Sequence, residues 1–182
     1  MTAPNRTPEI GPVSSDTLRP EDLIPTFLDA LTRYAPARAE ALAAEHRLVL
    51  EAMNADNFDT FYEEDDDIAE AAGWLLDELS LALDDIAPPY VMFGTSEGDG
   101  ACFGFWPALD SLEEDARAGD DVVKLPAGIR WEWNARNGRV TYWQRDGAPP
   151  ESAAASFVFE VNDHGNATLY DARTMSEIWS LV

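Results

Sequence analysis

Ile68, Ala72, Leu75, Leu79, Ala82 and Ile86 recur at alternating intervals of four and three residues. That rhythm advances about 100° per residue, so it draws one apolar line along an α-helix. Glu63, Glu70, Asp77 and Asp84 recur every seven residues on the opposite side. At ~1.5 Å of rise per residue they form a straight acidic line with steps of ~10.5 Å. Trp74 and Leu81 fall inside that acidic face, also seven apart. Two readings stand for this pair: packing against a preceding helix, or display as an apolar anchor within a charged patch. Pro88 and Pro89 end the helical pattern.

The same rhythm predicts two earlier helices. One opens at Pro20-Glu21-Asp22, where proline suits the first helical position and acids suit the positive end of the dipole. It carries Leu23, Phe27, Leu28 and Leu31. The second opens at Pro36 and carries Ala39, Leu42, Ala43, His46, Val49, Leu50 and Met53. After residue 89 the periodicity falls toward two. YVMFG and ACFGFW read as strands, then PALDSLEEDA as a short helix. IRWEWNA and RVTYWQ flank Arg136-Asn137-Gly138, and an Asn-Gly pair between β-rich runs signals a hairpin. SFVFEVN and ATLYDA flank a second turn, Asp163-His164-Gly165-Asn166, and EIWSLV closes the pattern. The expected class is α+β, with N-terminal helices packed on a mostly antiparallel sheet of about five to six strands. The expected organisation is a flexible segment 1–19, an acidic helical region 20–88 and a β-rich region 89–182. The last two are read as one compact domain.

Charge changes the picture more than length does. The 182 residues hold 35 Asp and Glu against 12 Lys and Arg, a net charge of −23. Solubility alone needs only ~2–8 net charges on a small domain. Such a chain is a poor ligand for nucleic acid or an anionic membrane and a good one for a basic protein surface. Between Arg47 and Arg117 there are 19 carboxylates and no Lys or Arg, whereas from Lys124 onward six bases face seven acids. The acidity therefore belongs to the middle of the chain. Its densest point is DTFYEEDDD, residues 59–67. Acids at a helix start favour the dipole by ~0.3–1 kcal/mol each, which accounts for one or two of them but not five.

Other chemistry finds little support. An EF-hand loop needs spaced oxygens, a central glycine and a closing Glu, and the run Asp65–Glu70 has Ile68 and Ala69 where the turn should be. A few adjacent carboxylates would hold magnesium weakly at most. His46, His164 and Cys102 are the only histidines and cysteine, too few of zinc's usual donors to predict a metal site. No phosphate-binding glycine loop and no nucleophile elbow occurs, so no catalytic residue, metal or cofactor is assigned. Gly98, Gly100 and Gly104 interleave with Phe103, Phe105 and Trp106 in the loop region 97–106. A tight hairpin accounts for them, with positive φ at Gly98 and Gly100 and a bulge or close backbone approach at Gly104. A ligand loop is the alternative. A single cysteine excludes an internal disulfide and suits a reducing, cytoplasmic setting. The first residues lack the apolar stretch of a secretory signal, and no apolar run approaches the ~18 residues of a membrane span.

The blocks FGTSEGDGACFGFWP and VNDHGNATLY resemble segments of small acidic proteins from bacteriophages and prophages. The resemblance covers the C-terminal half and transfers no site residue. It implies a phage origin and, for a small acidic protein without catalytic motifs, an inhibitor of a host nucleic-acid-binding defence, whether restriction or CRISPR. With the charge pattern it yields one leading expectation: a non-enzymatic DNA mimic. Its partner-binding residues would be Glu63, Glu64, Asp66, Asp67, Glu70, Trp74, Asp77 and Asp84. They would meet a basic, nucleic-acid-binding protein surface in the host cytoplasm, with no direct contact to nucleic acid or membrane. The alternatives are an immunity protein that neutralises a basic toxin, and a small-ligand binder or enzyme built on loop 97–106.

Overall fold

A computed structural model describes residues 7–53, 66–144 and 147–182. The fold is α+β, with five helices and ten strands in mostly antiparallel sheets among the described residues. The chain divides into two compact units, Met1–Ala87 with Val91–Trp106, and Pro88–Tyr90 with Pro107–Val182. The sequence placed one boundary near residue 88 inside a single domain. Divisions fall both at Ala87, next to that boundary, and after Trp106, because the hairpin Val91–Trp106 buries Phe93 and Phe105 with the helices.

The first unit is built on helices α1 (Pro20–Tyr34), α2 (Pro36–Glu45), α3 (Arg47–Met53) and α4 (Asp66–Asp84). Pro20 and the acids Glu21 and Asp22 open α1 as expected. The single helix expected from Pro36 to Met53 is broken at His46, whose φ of −98° and ψ of 26° leave the helical range. Strands β1 (Gly11–Ser14), β2 (Val91–Ser96) and β3 (Asp99–Pro107) form a sheet in the order β1-β3-β2. Strand β1 corrects the expectation of a flexible segment 1–19: Gly11 lies opposite Phe105 and Ser14 opposite Phe103. Pro12 is tolerated there because β1 is an edge strand. The core joins Leu23, Ile24, Phe27 and Leu31 of α1 with Ala72, Leu75, Leu79 and Leu83 of α4 and with Phe93 and Phe105 of the sheet. Phe27 meets Phe93 and Phe103 edge-on, with ring centroids 4.9 and 5.4 Å apart.

The second unit holds α5 (Leu109–Ala118), β4 (Val122–Pro126), β5 (Trp131–Asn134), β6 (Arg139–Tyr142), β7 (Glu151–Ala153), β8 (Phe157–Val161), β9 (Ala167–Asp171) and β10 (Ser176–Leu181). These make two sheets, β10-β9-β8-β4 and β5-β6-β7. The single sheet of five to six strands is thus three sheets. Strands β4 and β7 were not legible as strands, and β4 pairs with β8 in parallel. Both expected hairpins form. β5 and β6 are joined across residues 135–138, with Gly138 at φ +65°. β8 and β9 are joined by a turn in which the Asn162 carboxamide oxygen accepts the His164 and Asn166 N–H groups. His164 is a turn residue. Segment 88–90 is tied to this unit by the Trp179 indole, which donates to the Pro89 carbonyl at 2.9 Å. Tyr90 also donates its hydroxyl to Asp115 at 2.7 Å. Burial and that carboxylate both push the Tyr90 hydroxyl upward.

The turn between β9 and β10 is held by Asp171, which accepts from the Thr174 N–H at 2.7 Å and the Thr174 hydroxyl at 2.9 Å. The backbone hydrogen bond from Thr174 is the main cause holding this carboxyl below its usual range. A depressed native value means stability that is present above the unfolded pKa of ~3.9 and lost as pH falls below it. Asp171→Ala is expected to cost about 1 kcal/mol at pH 7, with the gap to wild type closing as pH is lowered toward 3. Denaturant titrations along that pH series would measure it, and a gap independent of pH would contradict this account.

Candidate partner-binding face

Helix α4 sorts its residues cleanly. Ala72, Leu75, Leu79 and Ala82 are buried, and Ile68 and Ile86 are partly so. On the opposite side Glu70, Trp74, Asp77, Leu81 and Asp84 are all exposed. They advance by four, three, four and three residues, so acid and apolar side chains alternate in one line. Trp74 is 61% and Leu81 64% exposed, which settles the two readings of this pair against packing on a preceding helix. Leaving both in solvent forgoes about 1–2 kcal/mol each of the burial they would otherwise gain.

The acids of this helix differ in what engages them. Asp84 accepts the Phe93 N–H at 2.8 Å, so one of its oxygens fastens the start of β2. Just past the helix, Asp85 pairs with Arg38 at 2.9 Å, and Glu78 meets His46 at 2.9 Å. No ion pair reaches Glu70 or Asp77 among the described residues. Asp67 is exposed at the start of the helix. Asp66 enters only as the first residue of α4, and Glu63 and Glu64 lie outside the described residues. The structure therefore brings Asp67, Glu70, Trp74, Asp77 and Asp84 together on one helix, and gives Asp84 a structural task that sequence spacing could not reveal.

The charge is unevenly divided between the units. The first holds 22 carboxylates against five arginines, a balance of −17, and the second 13 against seven bases, a balance of −6. Neighbouring acids on the α4 line repel by only ~0.4 kcal/mol at ~10.5 Å in water, and salt screens most of that. The line is therefore cheap to maintain. Its density also bounds what it can imitate. Six carboxylates over the 19 residues of α4 give one charge per ~5 Å, against ~1.7 Å for duplex DNA and ~3.4 Å for one strand. The helix alone therefore carries charge more sparsely than even a single strand of DNA.

The other candidates resolve into structure. Loop 97–106 is the β2–β3 hairpin: Gly98 takes φ +89° at its turn, and Gly100 does not need positive φ, contrary to expectation. A Cβ on Gly104 would lie 2.2 Å from the Gly11 carbonyl oxygen, so this glycine exists to admit β1. The Trp106 indole donates to the Gly94 carbonyl at 3.0 Å. In the second unit the Trp131 indole donates to Glu160 at 2.8 Å and its ring meets Tyr170, while the Arg130 guanidinium covers Trp143 at 4.3 Å. Phe103 is partly buried against the first unit's core. Among the described residues, the Lys124 ammonium holds the Glu113 carboxyl below its usual range, and the Thr174 backbone does the same for Asp171. No helix among the described residues is long and apolar enough to cross a membrane. No protein-family model, characterised protein or solved structure matches the chain.

Proposed function

We propose that this protein is an acidic inhibitor that occupies the basic, nucleic-acid-binding surface of a host defence nuclease or of a restriction or CRISPR complex. One observation carries the reading: the exposed line Glu70-Trp74-Asp77-Leu81-Asp84 on the unit that holds most of the net charge. The carboxylates stand where a nucleic acid would place backbone phosphates, and Lys and Arg of the partner neutralise them. Counter-ions released on both sides make such a complex steeply dependent on salt. No group of the chain is assigned a catalytic task.

The experiment has two stages. The tagged protein captures its partner from bacterial lysate at low salt, and rising salt elutes it. The recovered protein is then offered labelled DNA with and without the inhibitor, whose arrival should displace the DNA. Glu70→Lys with Asp77→Lys is expected to lower the slope of log K against log salt by about two and to abolish displacement. Asp84 is left intact because its oxygen fastens β2. Glu114→Lys with Asp163→Lys makes the same change of net charge on exposed positions of the second unit and is expected to leave displacement intact. Equal effects from the two pairs would reduce the face to bulk charge and sink the proposal.

Trp74 and Leu81 favour one second reading, an immunity protein against a basic toxin. Apolar anchors give affinity that salt does not remove. A single cognate partner that stays bound at high salt, with no competition by DNA, would select this reading over mimicry.

A further inference from the structure

We propose that Glu45, His46 and Glu78 form a divalent transition-metal site, with Zn²⁺ the ion it fits best. The three donor atoms, one imidazole nitrogen and two carboxylate oxygens, all lie within 4.8 Å of one another. The His46 Nε2 atom already stands 2.9 Å from a Glu78 oxygen. Glu45 closes α2, His46 forms the break before α3, and Glu78 lies on α4, so the chain meets itself here across 32 residues. The break is what frees the imidazole to point across to α4. A continuous helix through residue 46 was the expectation from apolar spacing.

The donor set selects the ion. Zinc takes nitrogen at ~2.0–2.1 Å and carboxylate oxygen at ~2.0–2.2 Å, with a fourth position left to water when the protein supplies three ligands. Calcium and magnesium prefer oxygen alone and gain little from an imidazole. The His46 side chain is only 13% exposed, which fixes its ring, while the Glu78 side chain is 45% exposed and Glu45 is exposed, which leaves both carboxylates room to close on an ion. The nearby Arg47 is held by Glu51 at 2.5 Å and so does not compete for these oxygens. The unit's −17 balance raises the local concentration of any cation. Bound zinc would tie α2 to the middle of α4. This inference does not depend on the partner-binding reading.

Zinc itself is the probe. Chelator-stripped full-length protein is titrated with ZnCl₂ by calorimetry in excess Mg²⁺, which occupies the many exposed carboxylates without competing for imidazole. One site per chain is expected. At zinc a hundredfold above Kd the midpoint of thermal unfolding should rise by roughly 5–10 °C. Co²⁺ should give the intense visible absorption of a four-coordinate site. His46→Gln and Glu78→Gln should each weaken binding by more than about 100-fold, while Glu40→Gln, an exposed acid of α2, should not. Glu78 is partly solvent-exposed, so its variant keeps the test decisive should the His46 variant fail to fold. Binding that Mg²⁺ suppresses entirely, or a single site of equal strength in wild type and Glu78→Gln, would overturn the proposal.

Discussion

Trp74→Ala is expected to weaken the complex with the basic partner at least ~30-fold while changing the stability of the chain by less than ~1 kcal/mol. The first figure follows from the position of the residue. An indole at the middle of an interface, ringed by charges that exclude water once the partner docks, has the makings of a hot spot, where truncation costs ~2 kcal/mol or more. The second follows from its 61% exposure in the free protein, which leaves little packing to lose. Leu75→Ala, one residue along and fully buried, should do the reverse, costing ~2–5 kcal/mol of stability through the cavity it opens. Charge argues that the occupant is not a second copy. Two such faces would bring Glu70, Asp77 and Asp84 against their own duplicates, and like charges brought together cost several kcal/mol. Calorimetric titration of the recovered partner, beside a denaturant curve for each variant, would separate the roles. A Trp74→Ala protein that binds at full strength would leave only the carboxylates to explain affinity.

What was legible in the sequence depended on whether its signal was local. The two faces of α4 could be read from spacing alone, because burial on one side of a long helix imposes a period on every turn. The hairpins at Arg136-Asn137-Gly138 and Asp163–Asn166 were equally plain, since Gly and Asn declare their turns within a few residues. Whether Trp74 and Leu81 were covered was not legible, because that depends on which neighbours α1 and α2 place beside α4. Strand β1 was hidden by Pro12 and Gly11, which ordinarily mark loose chain. It forms because β3 offers it a partner some ninety positions later. Strand β4, VVKLP, is too short to show a period, and its parallel partner β8 lies beyond three other strands of a different sheet. The Glu45-His46-Glu78 cluster was missed for a similar reason. Counting His and Cys overlooks carboxylate donors, and no spacing rule joins residues 46 and 78. The one local hint was the histidine at a helix break, which the continuous apolar spacing concealed.

Gly104→Ala is expected to destabilise the first unit by about 2–3 kcal/mol, while Gly100→Ala, four residues earlier in the same glycine-rich stretch, should be neutral or slightly stabilising. The contrast is geometric. A methyl group at position 104 would sit 2.2 Å from the Gly11 carbonyl oxygen and 2.8 Å from the Pro12 Cα, both backbone atoms that cannot rotate away. Either β1 leaves the sheet or the sheet distorts, and overpacking of this kind costs ~1–3 kcal/mol. At position 100 no atom lies within 4 Å, and φ is not in the left-handed region. Alanine there mainly restricts the unfolded chain, worth ~0.4–1 kcal/mol in its favour. Hydrogen exchange distinguishes the two routes at Gly104. If β1 detaches, protection is lost along Gly11–Ser14 and at its partners Phe103 and Phe105, while α4 keeps its own. The consequence reaches function. Since Phe105 packs in the core that seats α4, a distorted sheet would displace the acidic face and weaken partner binding. A merely detached β1 would leave it in place. A Gly104→Ala protein as stable as wild type would show that the close approach of β1 and β3 is not what this glycine serves.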